Sequence, residues 1–185
     1  FRETQQPKLV GQRYRLAPVS AGPRRAFHPK IHFIASERRV HATVGSANIT
    51  HPGLTNNREI ATVFTIEASE SDETSGDEGD SDALGTRREI AAVCRDIAAF
   101  FRQLVSSSHG RSIDPVTART IERTLDAGDW LTDIDGPSTD RRSARFLHNL
   151  DEPLLSQATD LIAGRGEEVQ RVDVAAPFYG TSLAI

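Results

Sequence analysis

The sequence predicts a mixed α/β fold, a β-sheet flanked by helices, and three observations carry that expectation. Three segments rich in β-branched and aromatic residues follow one another, with short joints, between residues 26 and 66. A longer segment, 86–106, carries one apolar stripe at helical spacing. Between them lies residues 67–82 (EASESDETSGDEGDSD), with eight acids, no base and almost no apolar residue. Such a stretch cannot bury enough surface to order itself and reads as a disordered surface insertion.

The elements follow in order. Residues 8–19 (KLVGQRYRLAPV) have short apolar stretches broken by Arg and Pro and read as a strand. Residues 26–34 (AFHPKIHFI) alternate roughly and read as a second strand; Pro29 inside it predicts an edge, an irregular start or a bulge. Residues 39–44 (RVHATV) alternate cleanly, with Val40, Ala42 and Val44 on one face, and Gly45-Ser46-Ala47-Asn48 ends them in a turn. Residues 51–57 are turn-rich, and 59–66 (EIATVFTI) form the next strand, so the sheet is expected to be locally antiparallel.

In the helix at 86–106, Ile90, Val93, Cys94, Ile97, Phe101 and Leu104 make the apolar stripe. Thr86 with Glu89 three residues later fits a capping box. Cys94 lies on the stripe and is expected to pack in the core. Asp114-Pro115 opens a second helix, 115–127, with Asp114 as its cap. Residues 153–163 read as a third helix, stopping before Gly164 and Gly166, and 168–176 (EVQRVDVAA) as a strand. Residues 136–150 are Arg-rich and have no clear pattern.

Composition narrows the classes of function. The chain has 185 residues and no apolar run near the roughly 20 residues that span a bilayer. The N-terminus has no apolar core of a signal peptide. These features predict a cytoplasmic protein with no membrane span. One Cys excludes an internal disulfide framework and a Cys-rich zinc site. There is no Met, so the chain reads as a fragment of a longer protein. The 26 acids and 22 bases give a net charge of -4, but without the eight acids of 67–82 the balance is 22 minus 18, or +4. Residues 1–59 hold ten bases and three acids, a net of +7. An anionic substrate is therefore plausible.

The chemistry-bearing residues converge from three pieces: His28-Pro29-Lys30, Gly45-Ser46-Ala47-Asn48 and Asn56-Asn57-Arg58-Glu59. On a strand, His28 and Lys30 share a face. A hydrogen-bonded return strand would bring Gly45 to Asn48 beside them. Lys30 supplies a point charge, Asn48 an amide donor, and Ser46 a hydroxyl and a turn amide for phosphate oxygens. His28 can attack phosphorus when neutral or donate a proton when charged. Glu59 could fix the tautomer of a His by accepting its second N–H.

These residues resemble the phospholipase D superfamily, whose signature is H-x-K followed by G-S-x-N. The resemblance covers residues 26–60 closely and the rest in layout. Ala35 stands where that signature usually has an aspartate, and the spacing from His28 to Gly45 is longer than standard. Both features are similar to the nuclease-like and tyrosyl-DNA phosphodiesterase-like branches.

The resemblance implies a metal-independent, cofactor-free phosphodiesterase built from two H-x-K half-sites. One His is phosphorylated; the other protonates the leaving oxygen and then activates water. By the same resemblance, His28 is nucleophile or general acid, Lys30 and Asn48 hold phosphate oxygens, and Ser46 and Glu59 support them. The later histidines, His109 and His148, have no Lys two residues on. The second half-site is thus expected from a C-terminal repeat beyond Ile185 or from a homodimer partner.

The implied organisation is a strand-rich catalytic part over 1–66, the acidic insertion over 67–85, a helical part and linker over 86–165, and the first strand of a second repeat over 166–185. The fold is then one phospholipase D-like half plus the start of another. The basic N-terminal segment favours nucleic acid, DNA or RNA, as substrate. The alternatives are phospholipid hydrolysis and an inactive nucleic-acid-binding module. Arg13, Arg15, Arg24, Arg25, Arg38 and Arg39 could line a nucleic-acid groove or be solvated strand faces. A zinc site from His32 with His41 or His51 would lack familiar ligand spacing.

Overall fold

The structure is a computed structural model that describes residues 15–19, 27–47, 55, 59–68, 81–107, 110, 112–136 and 142–164. The chain divides into two compact units, Phe1–Phe146 and Leu147–Ile185. The fold is mixed α/β: a three-stranded antiparallel sheet and, among the described residues, three α-helices.

The first unit begins with the sheet. Strands β1 (Ile31–Ala35), β2 (Arg39–Gly45) and β3 (Ala61–Glu67) lie in the order β1-β2-β3. Ile31 pairs with Val44, Phe33 with Ala42 and Ala35 with Val40; Val40 pairs in turn with Ile66 and Ala42 with Phe64. Directly paired residues share a face, so these residues form one apolar surface, with Val40 and Ala42 fully buried. Pro29 lies just ahead of β1, an edge strand, where a missing N–H costs no ladder bond. Regular pairing therefore starts at Ile31, later than the strand expected from residue 26. Residues 15–19 are not strand, which corrects that part of the strand expected over 8–19; Pro18 there cannot donate to a ladder. Residues 8–14 lie outside the described residues, as does the strand expected at 168–176.

Helix α1 (Ser81–Ser106) covers the apolar face of the sheet. Val93, Cys94, Ile97 and Leu104 of the expected stripe are buried, and Ile90 and Phe101 are partly buried against the same core. Phe33 of the sheet meets Phe101 of the helix with ring centroids 6.3 Å apart. Ala91, Ala92, Ala98 and Phe100 are buried as well. A single stripe does not predict them, because the helix is also packed by residues far along the chain: Phe100 lies edge-on to Phe146 at 5.6 Å.

The helix begins five residues before the expected start. Residues 81–85 belong to it and not to the acidic insertion, and Thr86 is helix interior, not its cap. Glu89 instead accepts hydrogen bonds from the backbone N–H of Ser143, at 3.1 Å, and from its hydroxyl. Those bonds hold the Glu89 carboxyl below its ordinary pKa.

Helix α2 (Pro115–Asp126) starts where the Asp-Pro pair predicts. One Asp114 carboxylate oxygen accepts from the N–H groups of Val116 and Thr117, both at 3.0 Å. A 3₁₀ turn (Asp129–Asp133) follows and buries Leu131. Arg95 of α1 donates to the carbonyls of Leu131 and Ile134, at 3.3 and 2.9 Å. Trp130 donates its indole N–H to the carbonyl of Ser36 at 2.9 Å and so anchors the β1–β2 turn. The Arg-rich stretch after residue 136 has no regular structure over 142–150; Arg142 pairs with Asp96 of α1 at 2.9 Å in a partly buried ion pair.

The second unit contains α3 (Leu154–Ala163), close to the expected span, ending at Gly164. Gln157 donates to the carbonyls of His148 and Glu152, at 2.7 and 2.8 Å. None of the described helices is long and apolar enough to cross a membrane.

Candidate functional site

Of the residues singled out from the sequence, the described ones, His28, Lys30, Gly45, Ser46 and Glu59, sit at one end of the sheet, opposite the turn anchored by Trp130. Their placement follows from backbone pairing. The N–H of Gly45 donates to the carbonyl of Lys30 at 3.1 Å, which extends the β1–β2 ladder by one rung beyond the regular strand. The N–H of Ser46 donates to the carbonyl of Ile60 at 2.9 Å, which does the same between β2 and β3. Lys30, Gly45, Ser46, Glu59 and Ile60 are therefore brought together by the last rungs of three adjacent strands.

Gly45 is required by this closeness. A Cβ built on it would lie 2.4 Å from the carbonyl oxygen of Ile60 and 3.0 Å from Ala61. The glycine thus lets β2 and β3 approach at the rung next to Ser46. Asn48 itself lies outside the described residues, as do Asn56, Asn57 and Arg58.

His28 and Lys30 lie in the lead-in to β1 and not within the regular strand. Their side chains nevertheless converge. The Lys30 ammonium is 2.9 Å from Nδ1 of His28 and 3.2 Å from Nε2. His28 is exposed and Lys30 half-buried. An ammonium this near to both ring nitrogens lies over the ring and sets a positive charge beside the imidazole.

Ser46 and Glu59 form the other half of the group. The Ser46 hydroxyl donates to Oε2 of Glu59 at 2.5 Å and accepts from the N–H of Ile60 at 3.1 Å. The sequence reading has Glu59 orienting a His. In the structure its carboxylate receives the Ser46 hydroxyl, because the paired backbones of residues 46 and 60 bring the two side chains side by side. The pair ties the end of β2 at Ser46 to residues 59 and 60. Sequence reasoning names both residues but not their bond, since register across 13 intervening residues is not visible in spacing.

His32 and His41 lie on the face of the sheet away from α1 and are half-buried. Nδ1 of His41 is 2.8 Å from the Thr65 hydroxyl, its cross-strand neighbour. Among the described residues no group of three or more His, Cys, Asp or Glu is placed to hold a metal ion. Cys94 is fully buried, and burial pushes its thiol up to about 12, so it stays protonated and inert at neutral pH. Arg15 lies near enough to Asp114 to favour its charged form, and Arg39 pairs with Glu67 across β2 and β3. Both of these described arginines thus serve local contacts.

Chemically, the described residues offer an imidazole for nucleophilic or acid–base work and an ammonium for an anionic oxygen. Comparison with protein-family models, with curated proteins and with solved structures finds no match to this chain.

Proposed function

We propose that this chain is half of a metal-independent phosphodiesterase of the phospholipase D superfamily, acting on nucleic acid through a phosphohistidine intermediate. The single observation that supports it best is that the last backbone rungs of one sheet end join Lys30 to Gly45 and Ser46 to Ile60, with a His28–Lys30 contact and a Ser46–Glu59 bond at that same end. Motif pieces 13 to 31 residues apart in sequence thus lie at one end of the sheet, and their residue types are those such chemistry uses.

In this reading, Lys30 and Asn48 bind the non-bridging oxygens of the diester. His28 either attacks phosphorus, forming a phosphorus–nitrogen bond as the phosphorus–oxygen bond to the leaving group breaks, or protonates that leaving oxygen. The complementary His comes from a second repeat or a second copy. The water that cleaves the phosphohistidine loses its proton to the His that had protonated the leaving group. Ser46 and Glu59, bonded to each other at the strand end two residues before Asn48 in sequence, are positioning residues. The net charge of +7 over residues 1–59 favours a polyanion over a single lipid headgroup.

The test offers labelled single-stranded DNA, RNA and phosphatidylcholine vesicles to the full-length protein in EDTA. Cleavage of nucleic acid by wild type and not by His28→Asn supports the reading. Turnover of the vesicles alone would transfer the site to lipid. Oligonucleotide binding with no turnover would make the chain a binding module.

A further inference from the structure

We propose that His32 and Thr43 form a second phosphate subsite, one rung along the sheet from Lys30. It holds the phosphate next to the scissile one and so selects a polynucleotide over a single diester. The subsite rests on the phosphodiesterase reading and adds to it a determinant of substrate class.

Alternation places the subsite. The Lys30–Gly45 rung continues the β1–β2 register by one step, so Lys30 and His32 lie on the same face of β1, away from α1. Two residues along a strand span about 6.6 Å, a step that matches the separation of neighbouring phosphates in an extended single strand. His32 pairs directly with Thr43 of β2, so an imidazole and a hydroxyl stand side by side, each able to donate to an oxyanion. Both residues are half-buried. Neither side chain has a hydrogen-bond partner among the described residues, and their polar atoms still reach solvent. The other imidazole on this face, His41, is by contrast taken up by the Thr65 hydroxyl at 2.8 Å.

The surroundings fit a nucleotide better than a bare phosphate. Val63, the β3 neighbour of Thr43, is 61% exposed, and Ile34, two residues along β1 from His32, is 65% exposed. They border the polar pair with apolar surface for a sugar or a base. Glu67 is the one acid in the three strands, and Arg39 pairs it across β2 and β3. The strands therefore present a polyanion with lysine, imidazole and hydroxyl groups and with no unpaired carboxylate.

The experiment uses the full-length protein in EDTA with two substrates: decathymidylate, which has neighbouring phosphates, and bis(p-nitrophenyl) phosphate, which has none. Wild type is compared with three variants. His32→Ala removes the imidazole, Thr43→Val keeps the shape and loses the hydroxyl, and His32→Gln keeps an N–H donor. The subsite predicts that His32→Ala and Thr43→Val each lower kcat/KM for decathymidylate by about ten-fold or more, the loss expected of a hydrogen bond to a charged group. Both should turn over the chromogenic diester within about two-fold of wild type, as only a contact remote from the reacting phosphorus allows. His32→Gln should recover most of the loss. Equal losses on both substrates, or no loss on decathymidylate, overturn the subsite. Circular dichroism verifies folding, and the isosteric Thr43→Val carries the test alone if His32→Ala does not fold.

Fluorescence anisotropy of labelled decathymidylate separates the subsite from the phosphodiesterase reading. Weaker binding by His32→Ala and Thr43→Val, with no hydrolysis by wild type, removes that reading and leaves the subsite. Hydrolysis by wild type, with binding and turnover unchanged in both variants, removes the subsite and leaves the reading. Failure of wild type to bind decathymidylate overturns the subsite, and the chromogenic diester then judges the reading by itself.

Discussion

Gly45 has no room for a side chain, and that fact ties one residue to the geometry of the whole site. A methyl group there would meet the Ile60 carbonyl at 2.4 Å, so β2 and β3 would have to part at the rung beside Ser46. Gly45→Ala is expected to destabilise the protein by about 1–3 kcal/mol in chemical denaturation, the usual cost of forcing extra atoms into a packed site. Ser46→Ala is a gentler change with a different signature. It removes the hydroxyl that bonds Glu59 and Ile60, costing about 0.5–1.5 kcal/mol of stability. Under the proposed function, phosphodiester turnover should fall by about 10²-fold, because the end of β2 loses its tie to Glu59 and Ile60. Equal loss of stability with no loss of turnover would show that the pair is structural alone.

At the scale of elements, the helices separate what is legible from what is not. The Asp-Pro start of α2 follows from local chemistry, and Asp114 caps it as expected. The side-chain hydroxyl and then the backbone N–H of Thr117 hold the Asp114 carboxyl below its ordinary pKa. A depressed carboxyl contributes stability above its unfolded pKa and loses it as pH falls through the folded value. The difference in Tm between wild type and Asp114→Ala should therefore be constant from neutral pH to mild acid and narrow below about pH 4. A difference that grows on acidification would contradict the assignment.

The start of α1 is not legible, because acids and Gly85 disguise residues 81–85 as linker. A Cβ at Gly85 would meet nothing within 4 Å, so no packing demands glycine there. Gly85→Ala is expected to stabilise the protein by about 0.5–1 kcal/mol in urea unfolding. The buried Phe100 and the Ser143–Glu89 and Arg142–Asp96 contacts were likewise hidden. They depend on a distant irregular segment, 142–146, whose path no periodicity encodes.

Across the molecule, the sheet has two differently held ends. At one, Trp130 bonds the β1–β2 turn through the Ser36 carbonyl; at the other, the last rungs gather His28, Lys30, Ser46 and Glu59. Alternation in β1, β2 and β3 makes this arrangement readable in advance, because it fixes which face packs on α1 and which strand ends meet. The Ser46–Glu59 bond was not readable, since it depends on the exact register of residues 46 and 60.

The central claim is that His28 does chemistry on a phosphodiester and that Lys30 and Ser46 serve it. The most direct measurement is the steady-state rate of bis(p-nitrophenyl) phosphate hydrolysis in EDTA by the full-length protein, wild type against His28→Asn. The account predicts EDTA-resistant turnover that falls by at least about 10²–10⁴-fold in the variant. Turnover that requires added metal, or that survives His28→Asn, would contradict it.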